Sequence, residues 1–222
     1  MAKKHAEGYL SARESRRISR QNRKITNKLE KQHKRKHVHE SEYTTRMDDN
    51  ANVLEIRDLK TYFFTDVGTA KAVDGISFNV PAGKTIGIVG ESGCGKSVTS
   101  LSIMQLLQRP QGQIVNGEIR LNLGDKALDI AKAPISAMQY LRGNFMSMIF
   151  QEPMTSLNPV FRIGAQIDEV IALHEESKMS KEEIKKRTIE MLELVGIANS
   201  EGVYKMYPHE LSGGMRQRVM IA

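Results

Sequence analysis

The sequence is organised around GESGCGKS, residues 90–97. The apolar run TIGIV (residues 85–89) stands directly before this stretch, and a helical pattern over residues 97–107 follows it. A glycine-rich loop that ends in Lys-Ser, between a strand and a helix, is the pattern that surrounds nucleotide phosphates. We therefore predict an α/β nucleotide-binding core in which residues 85–89 form a buried parallel strand.

Each residue type in this loop has a chemical reason. The glycines permit unusual backbone angles and a close approach, so that successive N–H groups can surround phosphate oxygens. The following helix directs its positive N-terminus at the same charge. Lys96 supplies a cation for the β and γ phosphates of ATP, and the Ser97 hydroxyl can bind Mg²⁺. We predict that the whole loop binds ATP: Gly90, Glu91, Ser92, Gly93, Cys94, Gly95, Lys96 and Ser97.

A second glycine-rich helix start occurs in LSGGMRQ, residues 211–217. Ser212 supplies a hydroxyl, Gly213 and Gly214 expose backbone N–H groups, and apolar residues follow in helical order. This arrangement can receive an anion. Taken alone, an ordinary capped helix start explains it equally well.

Composition restricts the possible classes of protein. The chain has 222 residues and one cysteine, Cys94, which excludes an internal disulfide and a cysteine-cluster metal site. No apolar run approaches the roughly 18 residues that span a bilayer, and the N-terminus has no apolar signal region. We therefore expect a cytoplasmic compartment.

The net charge of +7 is confined to the N-terminal extension. Residues 1–50 hold fourteen Lys or Arg and seven Asp or Glu, which leaves nineteen of each sign in residues 51–222. A segment so poor in apolar residues is expected to be disordered. The main rival interpretation is a basic helix on anionic lipid, with Ile18, Ile25 and Leu29 as a thin apolar stripe.

The remaining pattern is a set of strands followed by helices. Strand signals cover residues 54–64, 72–80 and 145–150, and another over residues 114–123 accompanies an Asn116-Gly117 turn. A helical pattern begins near Ile163. Ser180 and Glu183 form a capping-box signature, and Gly196 stands where that helix should end.

Together, these motifs resemble the ATP-binding subunits of ABC transporters, in which LSGGMRQ is the signature sequence. The resemblance implies a P-loop core of ABC type with an antiparallel β subdomain and a helical subdomain. It also implies a sandwich dimer in which Ser212, Gly213 and Gly214 act on the ATP held by the other subunit.

Two further site residues follow from the resemblance. Gln151, after the strand signal of residues 145–150, matches the glutamine that reaches Mg²⁺ and the attacking water. Phe63 lines up with the aromatic that stacks on adenine. Tyr62 is adjacent, and an ordinary core aromatic is the alternative interpretation of Phe63.

A narrower resemblance connects IVGESGCGKSVTSLSIMQLL, LRGNFMSMIFQEPMTSLNPVFRIG and PHELSGGMRQRVMIA to the oligopeptide/dipeptide (peptide/nickel) importer branch. It implies an ATPase that drives peptide uptake at the cytoplasmic face of the cell membrane, as a peripheral protein. The implied partners are a second ATP-binding subunit (identical or not), two transmembrane permease subunits and, indirectly, an extracellular solute-binding protein.

The alternative is a soluble ABC ATPase that acts on nucleic acid or ribosomes through the basic extension. No motif with interleaved aromatics supports it, so nucleic acid is the disfavoured partner.

The expected domains are the extension, residues 1–50, and an ABC ATP-binding domain, residues 51–222. The sequence stops within the signature helix, before the Walker B strand and the switch histidine of the family. The resemblance therefore implies that the C-terminal part of the core is missing and that this fragment alone does not hydrolyse ATP.

Overall fold

The computed structural model describes residues 11–35, 37–150, 156–174 and 179–222. The chain divides into two compact units, Met1–Met146 and Ser147–Ala222, which are treated separately below. Gln151, the predicted Q-loop residue, lies outside the described residues. Across the described ranges, no helix combines the length and the apolar character needed to cross a membrane.

The first unit contains an antiparallel sheet with the order β1-β5-β4-β2-β3. The strands are β1 Thr44–Thr45, β2 Asn52–Phe64, β3 Thr69–Pro81, β4 Gly112–Asn122 and β5 Ala127–Asp129. The strand signals over residues 54–64, 72–80 and 114–123 are confirmed as β2, β3 and β4. Two helices, α2 Lys96–Ile103 and α3 Ile135–Asn144, follow the sheet strands β3 and β5 in the chain.

The core of this unit consists of the apolar side chains on one face of the sheet. Ile56 and Leu59 of β2 and Ile119 of β4 are fully buried, and they cluster with Met138 and Leu141 of α3. Burial of a large aliphatic side chain contributes about 1.5–3 kcal/mol. Ile56 and Leu59 are three positions apart, and the register shift between them brings both side chains into the same core.

The Asn-Gly signal at residues 116–117 marks an irregularity inside β4 and not a turn before it. Gly117 has φ +98°, and the pairing of β4 with β2 shifts register nearby, between Arg57 and Lys60. A Cβ at Gly117 would lie 2.5 Å from the carbonyl oxygen of Asp58, so only glycine fits. The same preference for positive φ that makes Asn-Gly a turn signal also makes it a bulge signal.

Two strand predictions are not met by the structure. Residues 85–89 and 145–150 form no strand, and Val89 and Ile149 are 92% and 91% exposed. A parallel strand is buried only when neighbouring strands take up its backbone N–H and C=O groups. Among the described residues no strand pairs with either run, which explains why their apolar side chains face solvent.

The second unit is helical. Its helices are α4 Ile163–His174, α5 Lys181–Leu194, α6 Ser200–Lys205 and α7 Gly213–Ile221. Ile163, Leu192, Val203 and Val219 join a common buried cluster. The capping box of Ser180 and Glu183 at the start of α5 is confirmed, and Gly196 follows the end of α5 with φ +77°.

An ordered helix occupies part of the basic extension, where disorder was expected from composition. Helix α1 spans Ala12–His33 and begins with a capping box formed by Ser11 and Glu14. The buried residues of α1, Asn22, Thr26 and Glu30, are all polar, while the apolar stripe is only partly covered: Ile18 and Leu29 are half-buried and Ile25 is 43% exposed. We call the residues that face the sheet the docking stripe: Ser15, Ser19, Asn22, Thr26 and Glu30.

The first half of the docking stripe binds the turn between β2 and β3. The Asn22 amide donates hydrogen bonds to the carbonyl oxygens of Thr65 (2.8 Å) and Gly68 (3.0 Å). The Ser19 hydroxyl donates to the Asp66 carboxylate at 2.7 Å. These bonds explain how a helix with so little apolar surface remains ordered: the exposed backbone carbonyls of a turn receive side-chain donors.

The second half of the docking stripe ends on Glu30. Its carboxylate accepts hydrogen bonds from Gln113 (2.7 Å) and Arg109 (2.9 Å), and Lys34 lies 3.2 Å away. Burial by itself raises the pKa of Glu30, but the bonds from Gln113, Arg109 and Lys34 outweigh burial and lower the pKa to about 2. Glu30 is therefore a charged, fully partnered anchor.

Candidate nucleotide-binding site

The glycine-rich loop of residues 90–97 leads directly into α2. Gly95 is the N-cap of that helix with φ +95°, and Gly93 also has a positive φ of +83°. A Cβ at Gly95 would lie 2.3 Å from the carbonyl oxygen of Ala72 in β3. The loop thus passes so close to the sheet that Gly95 is required on both conformational and steric grounds.

Lys96 folds its ammonium group back over the loop. Its Nζ donates hydrogen bonds to the carbonyl oxygens of Gly90 (2.7 Å) and Glu91 (2.8 Å) and lies 3.6 Å from the Cys94 sulfur. Glu91, Ser92 and Cys94 are exposed. The cation is therefore held above an open loop, beside the first turn of α2, whose N–H groups have no partner within the helix.

Buried hydroxyl groups fix α2 and hence the loop. The Thr99 hydroxyl donates to the Gly95 carbonyl oxygen at 3.0 Å. Ser102 and Thr61 share a hydrogen bond of 2.8 Å, and both side chains are fully buried. The sequence prediction did not include these positioning residues. The sequence feature that could have identified them is their spacing: Thr99 and Ser102 are three residues apart and so share a helix face.

The oxygen chemistry at the start of α2 fits Mg²⁺. Ser97 is exposed on the first turn, and its hydroxyl makes no side-chain hydrogen bond among the described residues. A hydroxyl oxygen is a hard ligand of the kind Mg²⁺ takes together with phosphate oxygens. Gln151, the second predicted Mg²⁺ contact, lies outside the described residues, so the structure brings no second predicted ligand to Ser97.

Two neighbouring aromatics at the end of β2 differ in their surroundings. The Tyr62 hydroxyl donates to Asp74 at 2.5 Å, and Lys71 lies 5.4 Å from the centre of the ring. Phe63 is half-buried and pairs across the sheet with Gly112, where an added Cβ would come within 2.9 Å of the Phe63 ring. The glycine leaves room for the Phe63 ring, whereas Tyr62 is already held by polar contacts.

The signature stretch forms the predicted helix start in the second unit. Ser212 is the N-cap of α7, and its hydroxyl accepts a hydrogen bond from the Met215 N–H at 3.3 Å. A Cβ added at Gly213 or Gly214 would meet nothing within 4 Å. Local packing therefore gives no reason for two glycines here, and what they provide is an exposed, closely approachable helix N-terminus.

Known proteins resemble this chain in sequence. The profile of the family described as ABC transporter matches residues 73–222. The oligopeptide transport ATP-binding proteins AppD and OppD of Bacillus subtilis (strain 168) are 51% and 49% identical to the chain over 172 and 170 residues. These alignments cover 78% and 77% of this chain but 51% and 46% of the relatives, so the chain spans about half of their length.

The fold has solved counterparts. The dimeric structure of MJ0796, a bacterial ABC transporter cassette, matches with a TM-score of 0.61 and 23% identity, covering 76% of this chain and 67% of that one. The predicted fold of ABC type, with an antiparallel β sheet and a helical part, is thereby confirmed. Because the family profile covers more than half of the residues, the chain belongs to the ABC transporter family.

Proposed function

We propose that this chain is the ATP-binding part of an ABC importer that couples ATP binding and hydrolysis to the uptake of oligopeptides or dipeptides. The observation that carries the proposal is the Lys96 ammonium, held by the carbonyls of Gly90 and Glu91 over an open loop at the start of α2. A phosphate group offers the same cation a stronger, charged partner.

Several residues of the loop would bind ATP together. Lys96 would transfer its hydrogen bonds from the loop carbonyls to phosphate oxygens, and the N–H groups at the start of α2 would face the same charge. Ser97 and Gln151 would hold Mg²⁺, which offsets phosphate charge when bound. Phe63 would support the adenine ring, while Ser212, Gly213 and Gly214 would serve the ATP of a second subunit. The water that attacks the γ phosphate would be oriented by Gln151.

Peptide import is supported by the relatives. Three of them are named as transport ATP-binding proteins for oligopeptides or dipeptides, at 46–51% identity. We therefore propose two transmembrane permease subunits, a second ATP-binding subunit and, indirectly, a solute-binding protein as partners, at the cytoplasmic face of the membrane. We also propose that the ATP-binding domain spans residues 51–222 and that residues 1–50 are an extension added to it.

Nucleotide binding is tested by titrating the chain with a fluorescent ATP analogue in the presence of Mg²⁺. Because charge-assisted hydrogen bonds contribute about 1.5–3 kcal/mol, Lys96→Ala should weaken binding by about 10- to 100-fold. Lys84→Ala is the control, since Lys84 has the same charge and is exposed outside the glycine-rich loop. Equal affinity of the Lys96 variant and the control variant would contradict the proposed site.

The transport assignment has a separate test. The chain, expressed with an affinity tag in its own cells, should co-purify with two hydrophobic membrane proteins, and its deletion should abolish uptake of a labelled tripeptide. Normal peptide uptake in the deletion strain would refute the import assignment and leave the ATP site untouched.

A further inference from the structure

The charged residues of α1 are segregated around the helix. All eight basic residues of Ala12–His33 are exposed, and the structure shows no ion pair for any of them among the described residues. We call this set the cationic face: Arg13, Arg16, Arg17, Arg20, Arg23, Lys24, Lys28 and Lys31. The two acidic residues of the helix are engaged elsewhere, Glu14 in the N-terminal capping box and Glu30 with Arg109 and Gln113.

The cationic face runs along the length of α1. At 3.6 residues per turn, the eight basic positions fall within an arc of about 140° that begins beside the docking stripe and extends around the solvent side of the helix. The basic positions run from Arg13 to Lys31, so at about 1.5 Å per residue the positive charges form one ridge about 27 Å long. The hydrogen bonds of Asn22 and Glu30 hold α1 against the first unit and leave the eight cations exposed to solvent.

We propose that the cationic face of α1 binds an anionic lipid surface. A flat layer of negative headgroups can approach all eight cations at once, and basic segments gain affinity from such a surface. Ile25 lies about 60° around the helix from Lys28, the nearest edge of the face, and is 43% exposed, so it offers an apolar side chain to the acyl boundary at that edge. Helix α1 contains no aromatic residue that could stack on a nucleic-acid base, so a lipid surface fits better than RNA or DNA.

The proposal goes beyond the function in peptide import and does not require it. It needs no nucleotide, no permease and no second subunit, since the charges and their support all lie within the first unit. It assigns to the basic extension a function that is independent of the ATP site, namely a direct electrostatic contact with the membrane.

The test is co-sedimentation of the full chain with lipid vesicles in 0.1 M salt. Vesicles of phosphatidylcholine with 30% phosphatidylglycerol should bind the chain, and vesicles of phosphatidylcholine alone should not. Each cation near an anionic surface contributes roughly 5-fold to partitioning, so the triple variant Arg17→Gln, Lys24→Gln, Lys28→Gln, at exposed positions away from the docking stripe, should bind roughly 100-fold more weakly.

The matched control removes three positive charges elsewhere. Lys181→Gln, Lys186→Gln, Lys205→Gln changes the net charge equally at exposed positions of the second unit, and it should bind like the unchanged chain. Raising the salt to 0.5 M screens the contact without any substitution and should release the unchanged chain, whether or not the triple variant folds.

Several results would overturn the proposal. These are equal binding to neutral vesicles, equal losses in the triple variant and in the control, or no binding to anionic vesicles. Displacement of the chain from vesicles by duplex DNA or RNA at a lower phosphate concentration would identify nucleic acid as the partner. Because nucleotide titration and peptide uptake are measured separately, failure of the lipid contact is distinguishable from failure of the proposed function.

Discussion

Replacing Glu30 with alanine tests how α1 is held against the sheet. The pKa of Glu30 is about 2 in the folded chain against an ordinary 4.5, and each unit corresponds to about 1.4 kcal/mol. The shift therefore sets a ceiling of about 3 kcal/mol on its contribution to docking. Because the Arg109 side chain is 22% exposed, solvent screens part of this, and we expect a loss of about 2 kcal/mol.

Hydrogen exchange measured by mass spectrometry detects this loss of docking free energy directly. If α1 exchanges by local release, a loss of about 2 kcal/mol makes its amides exchange about 30-fold faster, relative to intrinsic rates. Lys34→Gln is the control, because the Lys34 side chain is 70% exposed and its pair with Glu30 should contribute less than about 0.5 kcal/mol. Unchanged protection of α1 in the alanine variant would refute the anchoring role of Glu30.

The same contact has a defined pH dependence. The pKa of Glu30 is lowered on folding, so its stabilisation is present above pH 4.5 and is lost as the pH falls toward 2. Burial, and then the charge of Arg109, lowers the pKa of His33 from 6.5 to about 4. Folding thus favours neutral His33, and this stabilisation is lost as the pH falls from 6.5 toward 4. We expect α1 protection to decrease below pH 6.5.

Two further predictions concern packing. Gly117→Ala should lower the free energy of unfolding by more than about 3 kcal/mol, because strain at positive φ adds to a clash with backbone; Gly124→Ala, with φ +96° but open space, should cost only about 1–2 kcal/mol. Tyr204→Phe should cost about 1–2 kcal/mol by removing the 2.6 Å hydrogen bond to Asp168. Burial, together with that bond, raises the pKa of Tyr204 to about 12, so its stabilisation is complete below pH 10 and is lost as the pH rises through 12.

Urea unfolding measures both packing effects, and ultraviolet titration of tyrosinate follows Tyr204. Equal losses in the two glycine variants would show that backbone conformation, not the clash, dominates at Gly117. A tyrosine titration curve that is the same with and without Tyr204 near pH 12 would contradict the buried hydrogen bond.

The features that the sequence predicts well are local ones. The glycine-rich loop before α2, the capping box of Ser180 and the helix-ending Gly196 depend on residues within a few positions of each other, and the structure has all three. The cluster of apolar and aromatic residues at positions 54–64 was enough to predict β2, although not the register shift within it.

The features that the sequence misses depend on distant partners. Residues 85–89 have the composition of a buried strand, but a strand also needs neighbours, and composition does not reveal whether these are present. The docking of α1 is not visible in apolar periodicity, because its buried residues are polar. Its docking stripe has the same helical spacing in polar residues, and these meet a turn more than 40 positions away in the sequence. The Asn116-Gly117 pair indicates positive φ, but it does not distinguish a turn from a bulge within a strand.

The polarity of the docking stripe has a thermodynamic consequence. Unfolding changes heat capacity and responds to denaturant in proportion to the surface it exposes, chiefly apolar surface in the case of heat capacity. Release of α1 breaks hydrogen bonds of Asn22, Ser19 and Glu30, and the residues of α1 that are buried in the docked state are all polar. The helix should therefore detach with a small heat-capacity change, and the free energy of its detachment should depend only weakly on urea. Detachment should expose no large apolar patch on the sheet. A segment attached in this way can detach and rebind while the sheet beneath it stays folded.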